Sequence, residues 1–237
     1  ILTMELKEQD PDYIAVSDED IKLLEKVVKD VNKKSTVTKI DVTGLYIEHL
    51  LESPNSKTRY TAYTLLRLLL DEVAGIPLKV LYLDTDVLAN DDISLLYNTD
   101  ISNYELAGVK DRYGRFFMGP RYLNAGVLLL NLKLIKETNL FAKARHYLNK
   151  KKVFLSDQTA INKYVRKKLI LKRVYNEQKK TKPDTVIRHF SMQFRLFPKF
   201  HFVNIKQWDI ERLHSVYKCH AFDDILYKYQ QIINKEI

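Results

Sequence analysis

Lys79-Val80-Leu81-Tyr82-Leu83 runs directly into Asp84-Thr85-Asp86, so an apolar stretch ends in two carboxylates one residue apart. Acidic side chains are seldom buried unless they are paired or bound to a metal. An apolar run of this length, bounded by turn signals, predicts a strand buried on both faces. Asp84 and Asp86 then lie at its carboxyl end, where open α/β sheets bind their ligands. Two hard oxygen donors there suit a divalent ion that is itself holding phosphate oxygens. The stretch points to a metal-and-nucleotide site.

Further along, four more groups have types that could join that chemistry. Asn124-Ala125-Gly126 leads into Val127-Leu128-Leu129-Leu130, and Ser156-Asp157-Gln158 opens a helical pattern. His189 follows the short apolar pair Val186-Ile187, and Arg67 lies on an amphipathic segment. Each also has a plain structural use. Asn and Gly suit a tight turn, Asp157 suits a helix N-terminus, and an isolated histidine can simply be a core residue. His49, His146, His201, His214 and His220 show no metal-like spacing and are read as structural.

The elements that must position these groups alternate between strand and helix. Residues 1–5 read as a short strand, and Ser17 starts a helix with Asp20 three residues on as a capping box with a shorter acid. Ile21, Leu24, Val28 and Val31 give that helix an apolar face. Lys39–Val42 is a second strand ended at Gly44, and Ser56–Glu72 is a helix ended by Gly75-Ile76-Pro77. A short helix around Ser94–Tyr97, a strand at Leu106–Val109 with Asp111 just past it, and a central strand at Val127–Leu130 follow. A basic amphipathic helix spans Leu132 to Lys150, the next contains Ile161 and Val165, and Val186-Ile187 is a brief strand. This alternation predicts crossover connections and a mainly parallel, mixed sheet. No repeat or linker interrupts it, so one domain is expected.

Composition sets bounds. With 237 residues and 46% hydrophobic content, a sizeable core is available. A net charge of +9 attracts anionic partners without choosing among nucleic acid, anionic lipid and phosphorylated substrates. One cysteine, Cys219, excludes an intrachain disulfide and favours a reducing compartment. No stretch approaches the roughly 18 apolar residues of a membrane span. The chain starts at Ile1 without an initiator Met and reads as mid-strand, which suggests missing sequence upstream.

The string Val80 to Leu88, Leu123-Asn124-Ala125-Gly126 through Leu132, Ser156-Asp157-Gln158 and Ile187-Arg188-His189-Phe190 resembles, in order and spacing, glycosyltransferase family 8. That family includes bacterial lipopolysaccharide galactosyl- and glucosyltransferases and glycogenin. The resemblance covers about Ile1 to Trp208. It implies an α/β, Rossmann-like glycosyltransferase fold of the A type, with residues 1–208 as the catalytic domain and 209–237 as a helical tail. It further implies a UDP-hexose donor, Mn²⁺ with Mg²⁺ as the alternative ion, and retention at the anomeric carbon. Asp84, Asp86 and His189 would hold the metal, with Thr85 between the acids. Arg67 would face donor sugar and phosphate. Asp111, Asn124 and Ala125 would line the sugar pocket, and Asp157 and Gln158 would sit under the reacting carbon. Of two retaining routes, front-face attack is favoured over a double displacement with Asp157 as nucleophile.

Two departures from the family pattern stand out. The usual first strand, whose end grips uracil and ribose, is not in this sequence. The final Gly-x-x-Lys-Pro-Trp is altered: Ser191 to Asn204 intervenes before Lys206-Gln207-Trp208, with Lys206 still expected to reach the diphosphate. The acceptor would be a saccharide or a lipid- or protein-linked glycan, the setting bacterial cell-surface polysaccharide synthesis, and the location cytoplasmic, with peripheral contact at the inner face of the membrane. That contact would run through the tail Ile210 to Ile237, whose Leu213, Tyr217, Phe222, Ile225, Tyr227 and Tyr229 stand among basic residues; packing on the domain is the alternative. No nucleic-acid partner is expected. Two other readings are carried forward: a haloacid-dehalogenase-like phosphatase, whose nucleophile strand has a similar apolar-Asp-x-Asp pattern, and a non-catalytic sugar-nucleotide-binding module.

Overall fold

Leu2–Thr3 (β1) runs parallel to Ile40–Asp41 (β2) in the computed structural model, which describes residues 1–56, 62–195, 199 and 201–234. Between them, Asp18–Val31 (α1) starts as its sequence predicts: Ser17 Oγ accepts from the Asp20 N–H at 3.0 Å and donates to Asp20 Oδ2. Its apolar stripe is shallow, because none of its residues is fully buried. The predicted stop at Gly44 is instead a helix start. Asp41 Oδ1 accepts from the Thr43 N–H and hydroxyl, and Thr43–Leu50 (α2) follows with Gly44 in its first turn.

The helix expected over Ser56–Glu72 is a 3₁₀ helix, Ala62–Leu69; residues 57–61 lie outside the described residues. All its residues but Tyr63 and Thr64 are buried, so it is an interior element rather than a one-faced one. Lys79–Leu83 (β3), Val87–Ala89 (β4), Ser94–Tyr97 (α3), Leu106–Lys110 (β5), Gly114–Phe117 (α4) and Leu123–Asn131 (β6) come next. The basic helix expected from Leu132 to Lys150 is two helices, Leu132–Thr138 (α5) and Leu140–Lys150 (α6). The break is Asn139 at φ +54°, a left-handed conformation that Asn adopts more readily than most residues. Ser156–Tyr164 (α7), Lys168–Ile170 (β7), a 3₁₀ turn Arg173–Asn176, Ile187–His189 (β8), Gln193–Arg195 (β9), His201–Val203 (β10), Ile210–Tyr217 (α8) and Asp223–Ile233 (α9) complete the described chain.

The chain divides into two compact units, Ile1–Leu78 with Leu132–Arg166, and Lys79–Asn131 with Lys167–Ile237. In the first, Arg145 is buried and ties α6 to the end of the 3₁₀ segment through Asp71, Glu72 and the Leu68 carbonyl. Ser53 and Asn55 reach the Leu148 carbonyl of α6 from the other direction.

The second unit is built on a four-stranded sheet in the order β3-β6-β5-β7. β6 runs antiparallel to β3 and β5, while β5 and β7 are parallel, so the sheet is mixed. The antiparallel share exceeds what strand–helix alternation predicts, because β6 returns between β3 and β5. β3 is terminal in this sheet and only partly buried; the two-sided burial predicted for it belongs to β6, where Leu123 to Leu130 are all buried. Three tail residues, Leu213, Phe222 and Leu226, enter an apolar cluster with Phe190, Val203 and Ile205. Burying a side chain such as Phe222 contributes roughly 1.5–3 kcal/mol, and Phe190, its neighbour, directly follows His189. No helix among the described residues is long and apolar enough to cross a membrane.

Candidate functional site

Two ladders bring the acids to the histidine. The Asp84 N–H donates to the Gly126 carbonyl at 2.8 Å, one rung beyond the Leu83–Val127 pair, so Asp84 faces Gly126 where β3 leaves β6. Val87 of β4 then pairs with His189 of β8, and the Phe190 N–H donates to the Asp86 carbonyl at 2.8 Å. Potential ligand atoms of Asp84, Asp86 and His189 lie within 4.8 Å of one another. Gly126 makes room for them. A Cβ there would stand 2.3 Å from His189 Cε1 and 2.8 Å from Asp84 Oδ2, so no other residue fits without displacing the cluster.

A hydrogen-bond chain fixes the imidazole. The Gly126 backbone N–H is an unambiguous donor, and Asn124 Oδ1 accepts from it at 3.0 Å. Asn124 Nδ2 therefore points to Asp111 Oδ2, at 3.0 Å, an acceptor in the carboxylate form. Asn176 Nδ2 donates to the same Asn124 Oδ1 at 2.9 Å, which leaves Asn176 Oδ1 to accept from His189 Nδ1 at 3.2 Å. This assignment of amide and ring orientations follows from the network. With Nδ1 carrying a proton, Nε2 either offers a lone pair or carries a second proton and a positive charge.

Nε2 lies 3.1 Å from Asp86 Oδ1, a buried oxygen with no well-aligned hydrogen bond among the described residues. A lone pair facing a carboxylate oxygen requires a cation between or beside them. Two of the other carboxylate oxygens are oriented by neighbours: Tyr82 Oη donates to Asp84 Oδ1 at 3.0 Å, and Lys206 Nζ donates to Asp86 Oδ2 and, at 3.2 Å, to the Phe190 carbonyl. Burial by itself would raise the Asp86 pKa; His189 in its protonated form and then Lys206 outweigh it and hold the carboxyl well below the usual range. Two carboxylates and an imidazole, each steered by an outer hydrogen bond, form a donor set that fits a divalent ion such as Mn²⁺.

The other expected residues divide by unit. Thr85 is exposed, and its carbonyl accepts from Gln207 Nε2 at 2.7 Å, so the Gln that replaces the family proline braces the acidic pair. Asp111 Oδ1 caps the N–H groups of Tyr113 and Gly114, and Ala125 is buried in β6 beside Gly126. In the first unit, Arg67 is no surface charge: it is 3% exposed, and its Nε lies 3.1 Å from Asp157 Oδ2 and donates to the Thr64 carbonyl. Gln158 is buried in the first turn of α7. Leu155, just before that turn, has φ +54°, a strained setting for a non-glycine residue.

Sequence reading missed Asn176, Gly126 as a spacer, and Gln207. Nothing local marks Asn176; it becomes visible only when the 3₁₀ turn meets β6 and β8. His214 and His220, read as structural, converge with Asp223 in a second His/Asp group: His214 Nε2 and His220 Nδ1 lie 2.7 and 3.1 Å from the two Asp223 oxygens. That group is largely exposed, and its members satisfy one another.

The model of glycosyl transferase family 8 matches residues 1–211. Among relatives, the chain is 38% identical over 86 residues to glycosyltransferase GlyA of Streptococcus pneumoniae serotype 4, covering 35% of this chain and 12% of that protein. It is 27% identical over 132 residues to general stress protein A of Bacillus subtilis, covering 51% and 45%. The chain thus spans less than half the length of these curated relatives. In fold it is similar to galactosyltransferase LgtC in complex with donor and acceptor sugar analogues, with a TM-score of 0.64 at 19% identity over 96% of this chain and 95% of that one. The α/β fold, the mixed sheet and a family match over nearly nine-tenths of the sequence agree: this chain belongs to glycosyl transferase family 8.

Proposed function

We propose that this protein is a retaining hexosyltransferase that moves galactose or glucose from a UDP-sugar to a saccharide or glycoconjugate acceptor, with Mn²⁺. The observation that carries the reading is the convergence of a partly buried Asp84 with Asp86 and His189, with Asp86 Oδ1 facing an imidazole nitrogen. Asp84, Asp86 and His189 hold the ion. When bound, the metal supplies charge stabilisation to the diphosphate as the sugar departs. Lys206 keeps one Asp86 oxygen turned away and adds positive charge on the diphosphate side. Asp111, Asn124 and Ala125 line the sugar pocket, in the roles that family position gives them.

Arg67, Asp157 and Gln158 are assigned to the donor sugar on family position as well. Asp157 is paired with Arg67 at 3.1 Å. A carboxylate already neutralised in this way is ill suited to be the covalent nucleophile, which supports front-face attack. A phosphatase reading needs a second acidic pair on a loop near the first. Asp223 and Asp224 instead open α9, and Asp223 is engaged by His214 and His220. In the cell the reaction would belong to cytoplasmic synthesis of a cell-surface polysaccharide.

The test is UDP release from a panel of UDP-hexoses, with Mn²⁺ and then with chelator. Release that stops on chelation supports the reading. Equal release with chelator contradicts the metal role, and no release from any donor together with hydrolysis of a simple phosphoester contradicts the transferase reading.

A further inference from the structure

The segment between β5 and β6 holds three large apolar side chains in water. Phe116 is 70% exposed, Phe117 84% and Met118 46%. Scattered exposed apolar residues are ordinary, but three in succession at the end of the short helix α4, at the tip of this connection, mark an interaction surface. The tip is firmly built. Asp111 Oδ1 caps the N–H groups of Tyr113 and Gly114, the Asp111 N–H donates to the Tyr122 carbonyl at 2.9 Å, and the Tyr122 N–H donates to the Gly119 carbonyl at 3.0 Å. Gly114 sits so close to Tyr122 that a Cβ would lie 2.5 Å from its ring, and Gly119 at φ +123° turns the chain back. Tyr113 packs edge-on against Phe194, with ring centroids 4.4 Å apart. One side of the loop is thus anchored, and the opposite side presents the phenylalanines.

The surroundings carry the charge that names a partner. Arg115 lies over the Phe116 ring at 4.7 Å, and Arg121 is exposed at the far end of the loop. Lys168 on β7 is close enough to Arg121 for the two charges to interact. The Arg112 N–H donates to Gln178 Oε1, and Gln178 Nε2 donates to the Lys110 carbonyl, which brings exposed Lys179 and Lys180 alongside the base of the loop. Against these cations, Asp111 is engaged within the loop, and Asp184 is an exposed acid in the neighbouring connection. An apolar tip ringed by arginine and lysine matches a bilayer surface: rings enter the acyl boundary while cations meet anionic headgroups.

We propose that Phe116, Phe117 and Met118, with their basic surround, dock the protein on an anionic lipid surface. The docking stands independently of catalysis. Its consequence, that a lipid-borne acceptor is met at the Asp111 side, rests on the transferase reading above.

The experiment is co-sedimentation of the full chain with phosphatidylcholine vesicles, with and without phosphatidylglycerol, in the absence of any donor. Binding is expected only with the anionic lipid. The double substitution Phe116→Ser, Phe117→Ser should weaken it by more than about tenfold with an unchanged circular dichroism spectrum, since both rings are exposed. Arg115→Gln with Arg121→Gln should cost a few-fold per charge. Phe117→Trp should show a blue-shifted emission on anionic vesicles. No vesicle binding by the unmodified protein, or binding that the double serine variant leaves unchanged, overturns the proposal. So does a variant that keeps vesicle binding but loses affinity for a free saccharide, since the tip would then be an acceptor platform. None of these outcomes depends on sugar transfer.

Discussion

Two clusters of Asp and His in the second unit offer the same ligand types and differ in what holds them. His214, His220 and Asp223 come from ten consecutive residues, lie largely in solvent, and satisfy one another with two hydrogen bonds. Asp84 and Asp86, in the turn between β3 and β4, meet His189 of β8 from over a hundred residues away, where burial makes charge costly. The first cluster is affordable wherever it falls. The second persists only because Gly126 makes space, Asn176 sets the imidazole, and Tyr82 and Lys206 orient the carboxylates. Chemistry belongs where groups are held against their own desolvation.

The comparison can be broken at several points. Asp86→Asn should reduce sugar transfer by at least about a hundredfold, read as UDP release, with the circular dichroism spectrum unchanged. Gly126→Ala should weaken Mn²⁺ binding by about ten- to a hundredfold, because the new methyl would displace His189 and Asp84; unchanged affinity would mean that their closeness is not needed. Asn176→Ala should weaken Mn²⁺ binding by about tenfold, since His189 then loses the partner that orients its ring.

His214→Ala should leave transfer unchanged and shift the melting temperature by less than about 2 °C. The hydrogen bond from His214, with a further one from His220, holds the Asp223 carboxyl below its ordinary value. A depressed acid contributes stability above its unfolded pKa, near 4, and loses it as pH falls. The melting curves of wild type and His214→Ala should therefore converge below about pH 4. A large effect of His214→Ala on transfer would erase the distinction between the two clusters.

Much of this was legible in the sequence, for physical reasons. A strand that ends in two acids announces itself, because an apolar strand has no structural use for them. Capping at Ser17 and the strands around Gly108 and Leu128 were equally readable from local chemistry. The break at Asn139 was not, because a single left-handed residue leaves the helical pattern intact on both sides. Nor was the shift of two-sided burial from β3 to β6, which depends on strand order. Asn176 was invisible for a deeper reason: an asparagine acquires a role only from the long-range contacts that bury it. His214 and His220 were passed over because their convergence on Asp223 depends on the turn between α8 and α9.

The most direct test of the central claim is a titration of Mn²⁺ by electron paramagnetic resonance, with and without UDP, on wild type and Asp86→Asn. Wild type should bind one ion, more tightly in the presence of UDP, and the variant should lose both the site and the coupling. Equal Mn²⁺ affinity in the two proteins, or UDP binding indifferent to the metal, would contradict the account.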